Sequence, residues 1–160
     1  MSLEDLPFRP CVGITLFNKD GHVFVGERID SKGSWQMPQG GILEDEPIED
    51  AFFREMKEEL GNDLAEILLV MEKPLRYELP YHLKGKMWSG KYGGQEQIWV
   101  AGRYLGTDDD INIYAHHFPE FESYKWIHID DVLDTVVPFK KETYKEVVNA
   151  FRHLAFDTEK

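Results

Sequence analysis

Glu55, Glu58 and Glu59 stand close together in the segment Gly40 to Gly61, which reads as a glycine-containing loop feeding a helix. Pro47 suits the first helical turn, where a missing N–H costs nothing, and Gly61 suits the position just past the end. At roughly 100° per residue the three glutamates fall within an arc of about 100° on one side of that helix. Ile48, Ala51 and Phe52, from earlier turns, lie on or next to the same arc, so the carboxylates continue an apolar stripe and point toward the body of the protein. Carboxylates so placed lose hydration and repel one another, and they must take up protons or recruit cations. Hard divalent ions such as Mg²⁺, bound by a few carboxylates together with waters and substrate phosphates, suit the cluster. A solvated face rich in Glu, Lys and Arg, with Arg54 and Glu58 as an i,i+4 pair, accounts for the same charges, and the helix alone does not separate the two.

The wider spacing does separate them. Gly40, Glu46, Arg54-Glu55, Glu58-Glu59 and Gly61 resemble the signature of the Nudix hydrolase family, with every charged and glycine position present. The resemblance implies that Glu55, Glu58 and Glu59 ligate Mg²⁺, with Mn²⁺ or Zn²⁺ as substitutes, and that the Gly40 carbonyl joins them. It also implies that Glu46 and Arg54 brace the loop against the helix. Two positions depart from the family pattern. Asn62 stands where an aliphatic residue is usual, which affects packing after the helix more than chemistry. The acidic Glu44-Asp45-Glu46 replaces a Pro-Gly turn, which leaves the loop's conformation open.

Further runs narrow the resemblance. Trp35-Gln36-Met37-Pro38-Gln39 following Glu27-Arg28-Ile29-Asp30, then Leu75-Arg76-Tyr77-Glu78-Leu79-Pro80, and Gly94-Gln95-Glu96-Gln97-Ile98-Trp99 resemble the Nudix branch of bacterial RNA pyrophosphohydrolases and dinucleoside polyphosphate hydrolases. In that pattern Phe139-Lys140 matches a pair that contacts a nucleobase and a phosphate. Glu120 matches a carboxylate that approaches the metals from outside the box, as ligand or as general base.

The elements that must carry these residues follow from periodicity. Val12–Phe17 and His22–Arg28 are strand-like runs joined by the turn Asn18-Lys19-Asp20-Gly21, a β-hairpin. Arg9 and Arg28 stand at its ends, and a planar guanidinium suits bidentate phosphate contact. Ala65 to Leu79 reads as one or two strands with a bend, and Gln95 to Leu105 as a central strand. Between Lys73 and Lys91, five basic residues face the single acid Glu78, interleaved with Tyr77, Tyr81, Trp88 and Tyr92. That combination holds phosphates and stacks bases, and Tyr77 and Lys84 are its candidates for substrate contact; an ordinary exposed loop with inward aromatics fits equally. The acids Asp108 to Asp110 read as a solvated loop, and His116-His117 lacks metal-ligand spacing. Asp130 or Asp131 is expected to cap a short helical turn. Tyr144, Val147, Val148, Phe151, Leu154 and Ala155 recur at helical spacing, a packed helix over roughly 141–156.

Composition sets the bounds. At 160 residues, with 42% hydrophobic and 30% charged residues, one domain over 1–160 with its core at about 9–156 is expected, not a disordered chain. A formal charge of −12 argues against broad binding of nucleic acid, DNA included, or of anionic membrane, so a phosphorylated partner must be held locally. The single Cys11 excludes an internal disulfide and reads as a buried structural thiol in a reducing compartment. No basic-then-apolar leader or membrane-length run occurs, and a cytoplasmic protein is expected.

Together with the resemblance, this implies an α/β (α+β) fold, the Nudix α/β/α sandwich around a mixed β-sheet. The implied activity is metal-dependent hydrolysis of phosphoanhydrides, with Glu58, Glu59 and Glu120 catalytic and Arg9, Arg28 and Lys140 positioning the polyphosphate. The expected substrate is the triphosphorylated 5′ end of RNA, the alternative is diadenosine tetraphosphate, and a nucleotide-binding Nudix module without catalysis is a remote third. A monomer is compatible with the sequence, which specifies no oligomeric state.

Overall fold

The computed structural model describes residues 2–156. Its axis is β1 (Phe8–Phe17), a strand buried on both faces. Val12, Ile14 and Leu16 point into one core and Phe17 into the other, as a period of two requires. Beside it lies β7 (Gly94–Tyr104), parallel to β1 from Phe8 opposite Gly94 to Phe17 opposite Arg103. β7 divides its apolar residues the same way, Val100 to the first core and Trp99 and Ala101 to the second.

Antiparallel neighbours complete a mixed eight-stranded sheet. β2 (Val23–Arg28) follows β1 through the expected turn, in which Gly21 takes φ 78°, and pairs with β3 (Trp35–Gln36) and β8 (Phe121–Ile127). β4 (Gln39–Gly41) lies against β1, while β5 (Ala65–Val70) and β6 (Leu75–Glu78) flank β7. The two helices cover opposite faces. α1 (Ile48–Leu60) sends Phe52, Met56 and Leu60 into the core with Val12 and Ile14. α2 (Lys141–Phe151) sends Tyr144, Val147, Val148 and Phe151 into the core with Trp99 and Met37.

The ends of α1 follow the sequence closely. Pro47 is the N-cap, one residue outside the helix, and Glu49 and Asp50 complement the positive end of the helix dipole. Gly61 adopts the left-handed conformation at φ 85°, and its N–H reaches the Lys57 carbonyl at 3.0 Å. The loop ahead of the helix contains Asp45 at φ 61°, in the left-handed region that a short polar side chain tolerates best after glycine. Asn62 accepts from the Leu64 N–H and donates to the Tyr104 hydroxyl and the Asp110 carbonyl, so polar bonds replace the aliphatic packing usual there.

Other local details differ from expectation. The turn Ile129–Asp134 is capped by His128, whose Nδ1 accepts from the Asp130 N–H, because the cap must precede the first N–H groups of the turn. α2 ends at Phe151, and Arg152–Phe156 continues as a 3₁₀ turn. No helix among the described residues is long and apolar enough to cross a membrane.

The docking of α1 rests on Phe52, fully buried, whose ring packs so close to Gly102 of β7 that a Cβ there would meet it at 2.7 Å. Phe52→Ala should lower unfolding stability by about 3–5 kcal/mol in urea titration. A loss below about 1 kcal/mol would mean that α1 is held chiefly by other contacts.

Candidate active site

α1 presents Glu55 and Glu59 on its buried side, in line with Ala51, Phe52 and Met56, while Glu58 turns toward the rim. One guanidinium organises the acids. Arg54 Nε and Nη2 donate to the two Glu46 oxygens at 2.8 Å each, Nη2 also reaches the Gly41 carbonyl at 2.7 Å, and Nη1 reaches Glu55 at 2.8 Å and Glu58 at 3.4 Å. Glu46 accepts in addition from the Leu43 N–H at 3.1 Å. The loop is thereby tied to the helix, and the Arg54 bonds hold the Glu46 carboxyl down to about 2.

Glu55 and Glu59 are pushed the other way. Burial raises Glu55 to about 7 against the pull of Arg54, and the charges on Glu58 and Glu120 add to the rise. Burial raises Glu59 well above the ordinary carboxylate range, reinforced by Glu55, Glu120 and Glu58; the nearby Gln39 N–H opposes this weakly without hydrogen-bond geometry. Neither Glu59 oxygen has a hydrogen-bond partner among the described residues. A buried carboxylate left in this way is strongly disfavoured unless a proton or cation joins it.

Facing these acids across one cleft are the cations. Arg9, Arg28 and Lys140 line it together with Gly40, Glu55 and Glu58, and Glu120 and the rings of Tyr77 and Phe139 border it as well. Arg9 comes from the start of β1 and Arg28 from the end of β2, where Asp30 pairs with it at 2.8 and 2.6 Å. Lys140, from the turn Pro138–Lys140, is 5% exposed. Its Nζ donates to Gln36 at 3.1 Å and lies 5.9 Å from each of the Tyr77 and Phe139 ring centroids. Burial lowers its pKa to about 8, helped by the charge of Arg28. The two rings sit 5.6 Å apart at 49°, forming an aromatic wall. Glu120 enters from the segment before β8, its carbonyl held by the Ile29 N–H at 3.0 Å.

The donor set fits a divalent cation on two observations. The first is the orphaned Glu59 carboxylate. The second is that a Cβ on Gly40 would occupy the space of the Glu55 carboxylate, so that only glycine lets the backbone lie directly against that acid. Among the described residues no three His, Cys, Asp or Glu side chains converge tightly enough to enclose an ion as they stand, and Arg54 draws Glu55 and Glu58 toward itself. Glu59, Glu55, Glu58 and the Gly40 backbone are the groups that would hold it.

Lys84 is placed elsewhere. Its ammonium is 3.0 Å from Glu78, its stem is buried, and it does not border the cleft. The cationic island divides in the same way, with Arg76 paired to Glu96 at 2.7 Å and stacked over Phe8 at 4.8 Å. Cys11 is fully buried and its thiol is pushed up to about 11, which suits an inert packing role. His116 reaches Glu58 at 4.0 Å from the outer rim.

Gln36, Gln39 and Gln95, to which the sequence pattern gave no individual role, also line the cleft, as does Trp88 from the aromatic-interleaved island. Trp88 sits beneath the Arg9 guanidinium at 5.6 Å on a backbone with φ 51°. A usable signal for the glutamines was present: Gln95 and Gln97 occupy alternate, buried positions leading into the apolar run of a central strand, where buried polar side chains are uncommon.

Solved structures share this architecture. The E. coli dihydroneopterin triphosphate pyrophosphohydrolase superposes with a TM-score of 0.66 at 18% identity, over 90% of this chain and 99% of that one. A C. elegans Ap4A hydrolase in a binary complex gives 0.63 at 16% identity, over 91% and 98%. At such identities the likeness concerns the fold. Sequence relatives are much nearer. A protein of Erythrobacter litoralis named RNA pyrophosphohydrolase is 50% identical over 155 residues, 94% of each chain. One of the same name from Wolbachia pipientis is 45% identical over 154 residues, covering 96% of this chain and 95% of its own. Residues 7–147 match the NUDIX domain, and with them the box on α1 and both walls of the cleft, so the chain belongs to the NUDIX domain family.

Proposed function

We propose that this protein is a divalent-metal-dependent RNA pyrophosphohydrolase, which removes pyrophosphate from the triphosphorylated 5′ end of RNA. The observation that carries the reading is the juxtaposition in one cleft of the α1 carboxylates with Arg9, Arg28 and Lys140 and an aromatic wall. A polyphosphate tethered to a base needs those three chemistries side by side. The name shared by relatives about half identical to this chain supports the same substrate.

In this reading the terminal base rests against Phe139 and Tyr77, and Lys140, Arg28 and Arg9 hold the phosphates. Water attacks phosphorus in line; a P–O bond forms, the anhydride P–O bond breaks, and pyrophosphate leaves the monophosphorylated RNA. Glu58, half-buried, or Glu120, exposed, both lining the cleft, takes the proton from that water. Arg54 keeps Glu55 and Glu58 in place, and Phe52 and Met56 keep Glu59 beneath them. When bound by these carboxylates, Mg²⁺ supplies Lewis-acid neutralisation of the charge that develops on the phosphates. The formal charge of −12 restricts RNA contact to one or two nucleotides at the end, since long backbone tracking requires a basic surface.

Three measurements test this. Glu58→Gln and Glu59→Gln should each lower turnover by roughly 10³-fold or more. Glu59→Gln should leave metal-free stability undiminished, because a neutral amide replaces an orphaned carboxylate; near-wild-type turnover removes the acids from the mechanism. At equal concentrations with Mg²⁺, triphosphorylated RNA should release pyrophosphate faster than diadenosine tetraphosphate is split, and cleavage of the dinucleotide alone would overturn the substrate. The third concerns pH. Glu55, at about 7 when folded against 4.5 ordinarily, binds its proton more tightly in the native state. Its contribution to stability is therefore full below 4.5 and lost as pH rises through about 7. The melting temperature of the EDTA-treated protein should fall across that window, less steeply in Glu55→Gln, with Mg²⁺ restoring it at the upper end. Equal slopes in the two proteins would rule out a buried, proton-seeking Glu55.

A further inference from the structure

Beneath the cleft, β7 carries Gln95, Gln97 and Trp99 on alternate residues, all of them buried. Their hydrogen bonds run in one direction. The Trp99 indole N–H, which can only donate, gives to Gln97 Oε1 at 2.9 Å. That bond decides which end of the Gln97 amide is oxygen. The NH₂ group, turned the opposite way, donates to Gln39 Oε1 and to Gln95 Oε1, each at 2.7 Å. Gln39 and Gln95 both border the cleft, and with their oxygens engaged their NH₂ groups are left without a partner among the described residues. Gln36 repeats the pattern from a separate anchor, because Lys140, also donor-only, occupies its Oε1.

A glutamine amide ordinarily turns end for end at little cost, presenting either a donor or an acceptor. A donor-only group at the head of the chain removes that freedom. We propose that Gln97 and Trp99, neither of which borders the cleft, are positioning residues that turn the NH₂ groups of Gln39 and Gln95 into it as donors to polyphosphate oxygens. Phosphate oxygens only accept, so a reversed amide would set a carbonyl oxygen against them. Neutral donors also suit this position for an electrostatic reason. A further Lys or Arg beside Glu55 and Glu59 would compete with a divalent cation for those carboxylates, whereas an amide binds phosphate without doing so. The inference rests on the reading of the substrate as a polyphosphate.

Gln97→Met conserves volume and removes both donor and acceptor, which frees the two cleft amides to reverse. KM for triphosphorylated RNA should rise about tenfold, the effect of losing hydrogen bonds to a charged group, with kcat within about twofold. Side-chain amide proton–nitrogen spectra supply a readout that mere core loosening would not give. With Mg²⁺ and an α,β-methylene-bridged nucleoside triphosphate, the wild-type Gln36, Gln39 and Gln95 amides should all shift. In Gln97→Met the Gln39 and Gln95 responses should be lost and that of Gln36, anchored through Lys140, kept. Trp99→Phe, which retains a ring against Tyr144, should give the same selective pattern more weakly. Unchanged Gln39 and Gln95 responses in Gln97→Met would overturn the proposal, as would three unshifted amides in a wild-type protein that binds the triphosphate. A wild-type protein that shows no triphosphate binding by calorimetry and no RNA hydrolysis would instead remove the polyphosphate reading itself.

Discussion

Two carboxylates, Glu55 and Glu59, are held on the buried side of α1, and much of the site follows from keeping them there. Their desolvation and mutual repulsion oppose the fold, and apolar contacts on the same helix offset them. Phe52, Met56 and Leu60 fasten α1 to the sheet above and below the acids. Arg54 lends one positive centre to Glu46, Glu55 and Glu58 and closes the loop against the helix in the same stroke. Glu59 alone receives no such partner. The helix is therefore assembled with an unmet demand for positive charge at one point, the arrangement expected where a cation is to be captured strongly and in one place.

The opposite wall answers a different demand. Arg9, Arg28 and Lys140 come from the beginning of one strand, the end of another and the turn before α2, which the sheet brings to one edge of the cleft. In a chain of formal charge −12 this local reversal of sign is what lets a polyanion enter. Among the described residues no ion pair joins Arg9, Arg28 or Lys140 to Glu55, Glu58 or Glu59, so the two charge sets do not neutralise one another before substrate arrives. Neutral amides line the same cleft, anchored through Trp99 and Lys140, and can meet phosphate oxygens without disturbing either charge set.

What was legible in the sequence was what local rules control. The helix stop at Gly61 follows from its glycine, the burial of Glu55 and Glu59 from helical period, and the pairing of β1 with β2 from two β-branched and aromatic runs joined at Asn18-Lys19-Asp20-Gly21. The expectations that shifted were those in which a side chain had several partners to choose from. Lys84 and Arg76 looked like members of a phosphate-binding island, but Glu78 lay within reach of one and Glu96 of the other, and a nearby carboxylate wins over a distant ligand. The cap of the turn after β8 moved from Asp130 or Asp131 to His128, which the chain places ahead of the free N–H groups.

By itself the sequence determined the helix carrying the acids, the strands that frame it and the family to which the spacing of its glutamates belongs. Those properties depend on residues near one another along the chain, where periodicity and backbone preference act. Tertiary structure decided that the cations face the acids across one cleft, that Glu59 is left without a partner while Glu55 is not, and that the amides of Gln39 and Gln95 turn outward. The first depends on strand pairings such as β1 with β7, between segments far apart in the chain. The others depend on which hydrogen-bond partners the folded chain brings within reach, such as Gln97 for Gln39, which no spacing along a single segment encodes.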